Sequence, residues 1–469
     1  MRKKIILERV TIEEVAAEGK TLARVNDRVV FIKGGAPGDV VDVRVTNRRK
    51  SFFEGVPIVY HSLSADRIEP FCAHFDICGG CKWQHLPYGM QLKFKQQQVI
   101  DNFERLGKFE IPVPEPILGS VEEKFYRNKL EYTFSDSRWL TKEEIDSEQP
   151  LERNALGFHI PGRFDKILDI EKCYLQPEPT NEIRNWVKEY ALDNDISFYN
   201  VRNHRGYLRN LIIRTTTTKQ TMVILQVTEN QPDIIESMLS ALNKTFAPNS
   251  LNYVINNKKN DTFNDLEAVN FAGDSFIEET MAIEESDSLL TFRIGPKSFY
   301  QTNSKQAERL YSKVNDLAKI KDNEIVYDLY TGTGTIANYL AHRAKKVIGL
   351  EYVPEAIEDA KVNSEINNIH NTYFFAGDIK DLLTASFIDN HGQPDVIITD
   401  PPRAGMHPSV VDMLNKVKAN KIVYVSCNPA TQARDISVLS ELYKVEAFQP
   451  VDMFPHTHHV ENIVLLKLK

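Results

Sequence analysis

The last third of the chain places a strand, a glycine turn and a helix in immediate succession, and this feature constrains the fold most. The run EIVYDLY (324–330) is apolar enough for a buried strand, TGTGT (331–335) supplies two glycines, and IANYLAHRA (336–344) is typical of a helix. Apolar runs alternate with amphipathic segments from about residue 291 onward. We therefore predict a doubly wound α/β domain over 291–469, which binds its ligand at the carboxyl edge of the sheet.

The glycine turn and the acidic residues after the strands indicate a nucleoside cofactor. Gly332 and Gly334 allow a tight turn and a close approach of ligand to backbone. Glu351 ends the next strand, KVIGLE, where this fold meets ribose hydroxyls, and Asp378 ends the third, TYFFAGD. The third glycine of a dinucleotide fingerprint is absent, so the pattern favours S-adenosylmethionine over NAD.

Three further groups are predicted at the same edge of the sheet. VIITDPPRAG puts Asp400 at the end of the fourth strand, and KIVYVSCNP delivers Cys427 at the end of the fifth. The last two strands, VEAFQPVDMF and ENIVLLKLK, look like a hairpin that closes the sheet. If the final strand runs antiparallel beside the fifth, its first residue, Glu461, lies next to Cys427 and Asp400.

Methylation of uracil carbon 5 requires three groups. They are a thiol, a carboxylate that removes a proton, and a polar group that contacts the edge of the base. Addition of a thiolate at carbon 6 makes carbon 5 nucleophilic, and a base must then remove the carbon 5 proton. Both features also have a purely structural explanation. Cys427 could be a small buried side chain, and the proline pair after Asp400 could form a turn that ends the strand. The His456–His459 segment (HTHH) is better explained as a structural turn than as a metal site.

Residues 5–60 contain short strands separated by Gly and Pro turns, which predicts a small β-barrel over 1–61. The net charge of the whole chain is −8, which argues mildly against a nucleic-acid partner, but residues 1–60 hold 12 Lys/Arg and 8 Asp/Glu. Arg48-Arg49-Lys50 precedes Phe52 and Phe53. This stretch suits either a base-stacking surface or a solvated hairpin with aromatics in its core.

Four of the five cysteines are candidates for a metal centre in a mixed α+β region, 62–290. Cys72, Cys78 and Cys81 follow one another at metal-type spacing around Gly79-Gly80, and Cys173 stands apart. Four thiolates suit zinc or an iron–sulfur cluster, and spacing alone does not choose between them. No apolar stretch is long enough for a membrane span or a signal peptide, so we expect a cytoplasmic protein without disulfides.

Residues 5–60, with GGAPGDVVDVRV, resemble a TRAM domain, and nearly the whole chain resembles the RNA (uracil-5-)-methyltransferase family. The resemblance to its 23S ribosomal RNA members rests on FYQTN (299–303), DLYTGTGT (328–335), GLE (349–351), GD (377–378), DPPR (400–403), SCNP (426–429) and HHVEN (458–462). It implies Cys427 as the nucleophile and Glu461 as the base. Cofactor or base contacts are then expected from Gln301, Tyr330, Thr335, Glu351, Asp378 and Asp400. Thr335 is the weakest of these, because the family's loop often carries Asn there.

The same resemblance implies a [4Fe-4S] cluster held by Cys72, Cys78, Cys81 and Cys173, with a structural or RNA-contacting role. It also implies that the helical stretch 91–120 packs on the catalytic domain. The expected partner is RNA, most of all 23S rRNA, with no membrane and no obligate protein partner.

Three alternatives stay open at this point. The first is a tRNA T-loop uridine methyltransferase, although such relatives usually lack the barrel and the cluster cysteines. The second is a non-catalytic iron–sulfur RNA-binding protein. The third is a small-molecule methyltransferase, which would leave the basic barrel without a purpose.

Overall fold

The computed structural model describes residues 5–107, 109–147, 150–284 and 288–469. The chain forms two compact units. The first unit comprises Met1–Ser120, Pro401–Lys416 and Tyr424–Lys469, and the second comprises Val121–Asp400 and Val417–Val423. Each unit is built from segments that are distant in sequence. The domain boundaries at residues 61 and 290 stay predictions.

The strands in chain order are β1 Ile6–Thr11, β2 Glu14–Val15, β3 Thr21–Val25, β4 Arg28–Ile32, β5 Val40–Arg48, β6 Phe52–Ser62, β7 Lys129–Ser135, β8 Ala155–Ile160, β9 Arg163–Asp169, β10 Leu208–Thr215, β11 Thr221–Val227, β12 Ser250–Ile255, β13 Val269–Gly273, β14 Ile277–Ala282, β15 Leu289–Ile294, β16 Ile325–Leu329, β17 Lys346–Glu351, β18 Thr372–Ala376, β19 Val396–Thr399, β20 Lys421–Ser426, β21 Tyr443–Val451 and β22 Glu461–Leu468. The helices are α1 Tyr88–Leu106, α2 Lys142–Asp146, α3 Thr180–Asp193, α4 Pro232–Phe246, α5 Ser304–Ala318, α6 Thr335–Leu340, α7 Pro354–Ile366, α8 Ile379–Leu382, α9 Ala385–His391, α10 Pro408–Val417 and α11 Pro429–Leu439. Short 3₁₀ turns cover Ala17–Gly19 and Ala341–Arg343.

The first unit begins with a barrel-like sheet in the order β1-β5-β6-β4-β3-β2. Its strands alternate inward apolar and outward polar residues, as in β5, where Val41 and Val43 are buried between more exposed neighbours. The inward side chains form one apolar core with Val30, Ile32 and Phe53.

The two aromatic residues that follow the basic run of the barrel, Phe52 and Phe53, differ in how deeply they are buried. Phe53 is 8% exposed and belongs to the core, with the guanidinium groups of Arg28 and Arg48 5.1 and 5.9 Å from the centre of its ring. Phe52 is half-buried and meets Phe31 edge to face at 5.4 Å. Phe53 is therefore part of the barrel core, as expected for a solvated hairpin with aromatic residues in its core. Its buried ring is not accessible for stacking on a base.

Helix α1 shows why the chain after the barrel becomes helical. Its buried residues, Gln91, Lys95, Val99 and Phe103, recur every four positions and so form one face. That face packs against α11 and β21 within the first unit. The unit ends with β21 and β22, an antiparallel pair in which Val451 lies opposite Glu461.

The second unit contains a sheet in the order β13-β12-β11-β10-β7-β8-β9, covered by α3 and α4. Strands β10 and β11 are buried along their whole length, although β10 carries Arg209 and Arg214. The two guanidinium groups donate to the backbone carbonyls of Asn256 and Ser298, at 2.8 and 2.7 Å. β14 and β15 form a separate hairpin.

The second unit also holds the parallel strands β18, β17, β16 and β19, neighbours in that order. β16 and β17 are almost fully buried and are followed by helical segments, the pattern of a doubly wound sheet. Among the residues that the structure describes, none of the helices combines the length and hydropathy of a membrane span.

Candidate active site

The glycine loop after β16 has the backbone that a ligand-binding turn needs. Tyr330, Gly332 and Gly334 all have positive φ, at 65°, 56° and 75°. A Cβ on Gly332 would meet nothing within 4 Å, so this side of the loop is open. A Cβ on Gly334 would lie 2.8 Å from the Cβ of Ala360 on α7. Gly332 thus leaves room for a ligand, whereas Gly334 lets the loop pack closely on α7.

Glu351, at the end of β17, is tied to this loop through its carboxylate. One oxygen accepts a hydrogen bond from the Gly332 amide at 3.1 Å, and the other accepts one from the Val353 amide at 3.0 Å. The side chain is half-buried. The predicted ribose-binding carboxylate is therefore held in a single orientation beside the open glycine.

Two further carboxyl groups, Asp328 and Asp400, have strongly perturbed ionisation. Burial raises the pKa of Asp328 to about 7, and the charge of Asp400 adds to the increase, while the Thr331 hydroxyl, 2.5 Å from Oδ2, opposes it. Asp328 Oδ1 is buried without a hydrogen-bond partner among the described atoms. Desolvation raises the pKa of Asp400 to about 7 as well. Near neutral pH each carboxyl is therefore present in both protonation states.

Asp400 and the 299–301 segment both approach the glycine loop. The Asp400 amide donates to the Leu329 carbonyl at 3.4 Å, directly before the loop. The Thr333 hydroxyl donates to the Phe299 carbonyl at 3.2 Å, and the Gln301 carbonyl accepts from Asn128 at 2.8 Å. The backbone at FYQTN is therefore fixed next to the loop.

Two of the predicted cofactor residues have structural partners of their own. Thr335 starts α6, is 8% exposed and lies 3.3 Å from the Thr333 hydroxyl. Asp378 caps α8 by accepting from the Lys380 amide, and it also pairs with the Lys380 ammonium at 2.7 Å. Their assignment to the cofactor stays a prediction.

In the first unit, Cys427 occupies the single position between strand β20 and the cap of helix α11. Asn428 is the N-cap, and its side chain accepts from the Ala430 amide at 3.2 Å. Pro429 opens the helix, whose amide groups concentrate positive potential at this end. The thiol is half-buried. A helix N-terminus favours the thiolate, which is the reactive form of cysteine.

Gln432, which the sequence did not single out, joins the strand ends that carry Cys427 and Glu461. Its amide nitrogen donates to the Tyr424 carbonyl on β20 at 2.8 Å and to the Asn462 carbonyl on β22 at 3.0 Å. The Asn462 amide donates back to Gln432 at 2.8 Å. Glu461, 6% exposed, begins β22 next to this clamp. Cys427 directly follows β20 and Glu461 begins β22, and the buried Gln432 amide bonds to both strands.

Arg403 also belongs to this part of the first unit and was missed as a separate group. Its carbonyl accepts from the Asn428 side chain at 3.0 Å, and its guanidinium lies 3.0 Å from His459 Nδ1. Burial, with the neighbouring His459 and Lys82, lowers the pKa of His458 to about 3, so His458 is neutral at physiological pH. The only sequence signal for Arg403 was its place in DPPR.

The cysteine loop, residues 69–87, has no regular secondary structure. Within it the Cys72 amide donates to Gln84 at 3.2 Å, and the Cys78 amide donates to the His74 carbonyl at 3.0 Å. Cys72, Cys78, Cys81 and Cys173 are all half-buried. Across the described parts of the chain, no group of three or more His, Cys, Asp or Glu residues is placed to hold a metal ion. The predicted cluster is therefore not confirmed.

Comparison with known protein families gives two matches. Residues 213–469 match the family described as tRNA (Uracil-5-)-methyltransferase. Residues 7–58 match the TRAM domain. The predicted N-terminal TRAM domain and C-terminal methyltransferase domain are confirmed by these matches.

Individual relatives extend over nearly the whole chain. A protein of Bacteroides thetaiotaomicron described as an uncharacterized RNA methyltransferase is 55% identical and covers 97% of this chain and 100% of its own. A Porphyromonas gingivalis protein with the same description is 51% identical over 97% of this chain and 98% of its own. A solved structure of the Pyrococcus abyssi tRNA (uracil-54, C5)-methyltransferase with S-adenosyl-L-homocysteine is 30% identical, covers 98% of this chain and 100% of its own, and has a TM-score of 0.75.

Proposed function

Because the chain belongs to the tRNA (uracil-5-)-methyltransferase family, we propose that it methylates carbon 5 of a specific uridine in RNA through a covalent bond from Cys427 to carbon 6. The observation that carries this proposal is the placement of Cys427 at the end of β20, directly before the cap of α11. A helix N-terminus there stabilises the thiolate that the chemistry requires. We place the reaction in the cytoplasm.

The residues around the glycine loop fit S-adenosylmethionine, whose sulfonium supplies the methyl group. Gly332 leaves open space, and the Glu351 carboxylate is fixed beside it as an acceptor for ribose hydroxyls. Asp328 Oδ1 is a buried acceptor without a hydrogen bond of normal geometry among the described atoms, although the Ala337 amide nearby lowers the pKa of the carboxyl. In this assignment Gln301, Tyr330, Thr335 and Asp378 line the cofactor, with Asp378 and Thr335 also keeping their helix-end contacts.

The proposed reaction begins with the Cys427 thiolate, which adds to carbon 6 of the uracil and moves the electron pair of the 5,6 double bond into an enolate. Carbon 5 then takes the methyl group, and the bond between sulfur and methyl breaks. Glu461 removes the remaining proton from carbon 5. The electron pair of that C–H bond restores the double bond, and the thiolate leaves. Asp400, with a pKa near 7, can donate or accept a hydrogen bond at the polar edge of the ring.

We propose 23S rRNA as the substrate, and tRNA as the second candidate. The four cysteines outside the catalytic position favour the ribosomal type, by resemblance. The Pyrococcus abyssi enzyme favours tRNA, because a protein named for uridine 54 of tRNA matches 98% of this chain, barrel included. The barrel therefore no longer separates the two substrates.

Mapping 5-methyluridine in rRNA and tRNA from cells with and without this protein tests the choice. We expect one or two 23S positions to lose the modification completely when the gene is deleted, and to regain it with the wild-type gene but not with Cys427→Ala. Loss of a tRNA position with all rRNA positions intact would make tRNA the substrate and reject our preference.

We further propose that Cys72, Cys78, Cys81 and Cys173 hold a [4Fe-4S] cluster. All four thiols are half-buried, and thiolates are the ligands such a cluster takes. The methyl transfer needs no electron, so the cluster would support the fold or contact RNA.

Protein purified without oxygen is expected to contain about four irons and four sulfides per chain, with a visible absorbance that is lost in Cys81→Ser. Cys427→Ser serves as the control and should keep both. If the purified protein contains zinc and no iron, the four cysteines form a structural zinc site and the cluster proposal is wrong.

A further inference from the structure

The turn that leads into Glu461 is unusually constrained for a connection between two strands. We call residues 452–460 the histidine turn; they join Val451 of β21 to Glu461 of β22, which lie opposite each other in the ladder. Asp452 and His456 are buried, at 0% and 3% exposure. His456 has φ 64°, a left-handed conformation that is costly for a residue with a side chain. Something outside the turn must hold it in this shape.

Gln91 on α1 supplies part of that restraint. Its side chain is fully buried, and its amide oxygen accepts from the His456 backbone amide at 2.8 Å. Its amide nitrogen donates to the carbonyls of Trp83 and Leu86 at 3.1 and 2.9 Å and lies 3.2 Å from His456 Nδ1. One side chain thus joins the helix, the cysteine loop and the histidine turn.

The cysteine loop holds the other side of the same residue. The His456 carbonyl accepts from the backbone amides of both Lys82 and Trp83, at 2.8 and 3.1 Å. Both backbone groups of His456 are therefore fixed from outside the turn. These contacts offset the cost of the left-handed conformation at His456.

A buried ion pair fixes the start of the turn. Lys95 Nζ lies 2.6 Å from Asp452 Oδ1, both side chains are fully buried, and Nζ also donates to the Phe454 carbonyl at 3.0 Å. The Tyr88 hydroxyl donates to Asp452 Oδ2 at 3.0 Å. Successive turns of α1, through Tyr88, Gln91 and Lys95, therefore contact the turn.

We propose that Gln91 is a positioning residue for Glu461, acting through the histidine turn. The proposal rests on the proposed function, in which Glu461 removes the carbon 5 proton. Proton removal requires the base within hydrogen-bond reach of the proton, so it is sensitive to small displacements. Thiolate addition by Cys427 precedes it, and Cys427 is carried by β20 and the cap of α11, whereas Glu461 directly follows the turn. Loss of the Gln91 contacts should therefore slow the breakdown of the methylated protein–RNA adduct more than its formation.

The test is a single-turnover experiment with RNA, S-adenosylmethionine and enzyme, with the protein–RNA adduct followed on denaturing gels. In Gln91→Leu we expect the methylated adduct to form at nearly the wild-type rate and to decay about 10-fold to 100-fold more slowly. Gln97→Leu is the matched control, since Gln97 lies on the exposed face of the same helix and bonds only to Asp101 at 2.8 Å among the described contacts. It should behave as wild type.

Asp452→Asn is the second variant in case Gln91→Leu does not fold. It keeps the shape of the side chain and one oxygen, which can still accept from the Phe454 amide as Asp452 Oδ1 does at 2.9 Å. It removes the charge that pairs with Lys95 and replaces the oxygen that accepts from Tyr88 by an amide donor, and we expect a delay of the same step. Formation and decay slowed equally, or decay unchanged in the folded variants, would overturn the proposal.

Glu461→Gln, measured alongside, separates the two hypotheses. Adduct accumulation in Glu461→Gln but not in the Gln91 and Asp452 variants would reject the positioning role and leave the proposed function intact. No accumulation in Glu461→Gln would reject Glu461 as the base, and the positioning role with it.

Discussion

Cys427→Ala is expected to abolish methyl transfer to RNA and the covalent complex with RNA that contains 5-fluorouridine. The physical reason is that carbon 5 of uracil is too electron-poor to attack the methyl group until a nucleophile has added at carbon 6. With fluorine at carbon 5 there is no proton to remove, so the adduct of the wild-type enzyme persists and is visible on a denaturing gel. Both readouts should fall below detection in the variant.

Cys427→Ser is the structural control for this experiment. Serine keeps the size of the side chain and the position before the α11 cap, but its hydroxyl is far less acidic than a thiol and is not ionised by a helix N-terminus alone. Both variants should bind S-adenosylmethionine as the wild type does, measured by calorimetry. Retained methylation in Cys427→Ala would contradict the covalent mechanism and favour a direct transfer to another atom of the RNA.

The same variant also decides between an enzyme and a non-catalytic iron–sulfur RNA-binding protein. A binding protein would complement a deletion strain equally well with alanine at position 427, because RNA affinity does not require the thiol. The family match makes the enzyme the better supported alternative. Failure of complementation by a folded Cys427→Ala with unchanged RNA affinity is the result we expect.

Glu461→Gln is expected to stop the reaction one step later, with the methylated RNA still attached to Cys427. General base catalysis contributes about 100-fold to 10,000-fold, so turnover should fall by that order. The rate of the first turnover, measured as methyl transferred to RNA in the adduct, should change little. Mass spectrometry of the nuclease-digested adduct should show a methylated uridine on the peptide that contains residue 427.

Glu446→Gln is a matched control on the same hairpin. Glu446 lies on β21 with an exposed side chain, 4.0 Å from Lys467, where removal of a charge should alter stability and activity little. An adduct that is unmethylated in Glu461→Gln would show that the residue acts before methyl transfer. In that case another group would be the base.

Most of the local elements were predictable because their signals are local. The strands KVIGLE and KIVYVS and the loop TGTGT can be identified from apolar runs and glycines that are contiguous in sequence, and β17 and β20 have the predicted bounds. The helix after the loop is shorter than predicted, since α6 ends at Leu340 and a 3₁₀ turn follows. Helix ends depend on packing that a short window of sequence does not contain.

The raised pKa of the buried carboxyl groups could not be predicted from the sequence, for a different reason. In the sequence Asp328 was only the first residue of the motif DLYTGTGT, yet burial raises its pKa to about 7. Desolvation depends on how much protein surrounds a group in three dimensions. Nothing in the seven residues of EIVYDLY distinguishes such an aspartate from an exposed one.

The sequence by itself determined the chemical groups of this protein, namely a thiol before Asn-Pro at a strand end, acidic residues after successive strands and a glycine turn. These features depend only on residue type and on short spacings along the chain, and the amino-acid sequence gives both directly. Tertiary structure alone decided what holds those groups in place. Gln91 meets His456 across 365 positions, and Gln432 joins β20 to β22 through a single amide. Such partners are chosen by the close packing of buried polar groups, each of which must find a hydrogen bond when water is excluded.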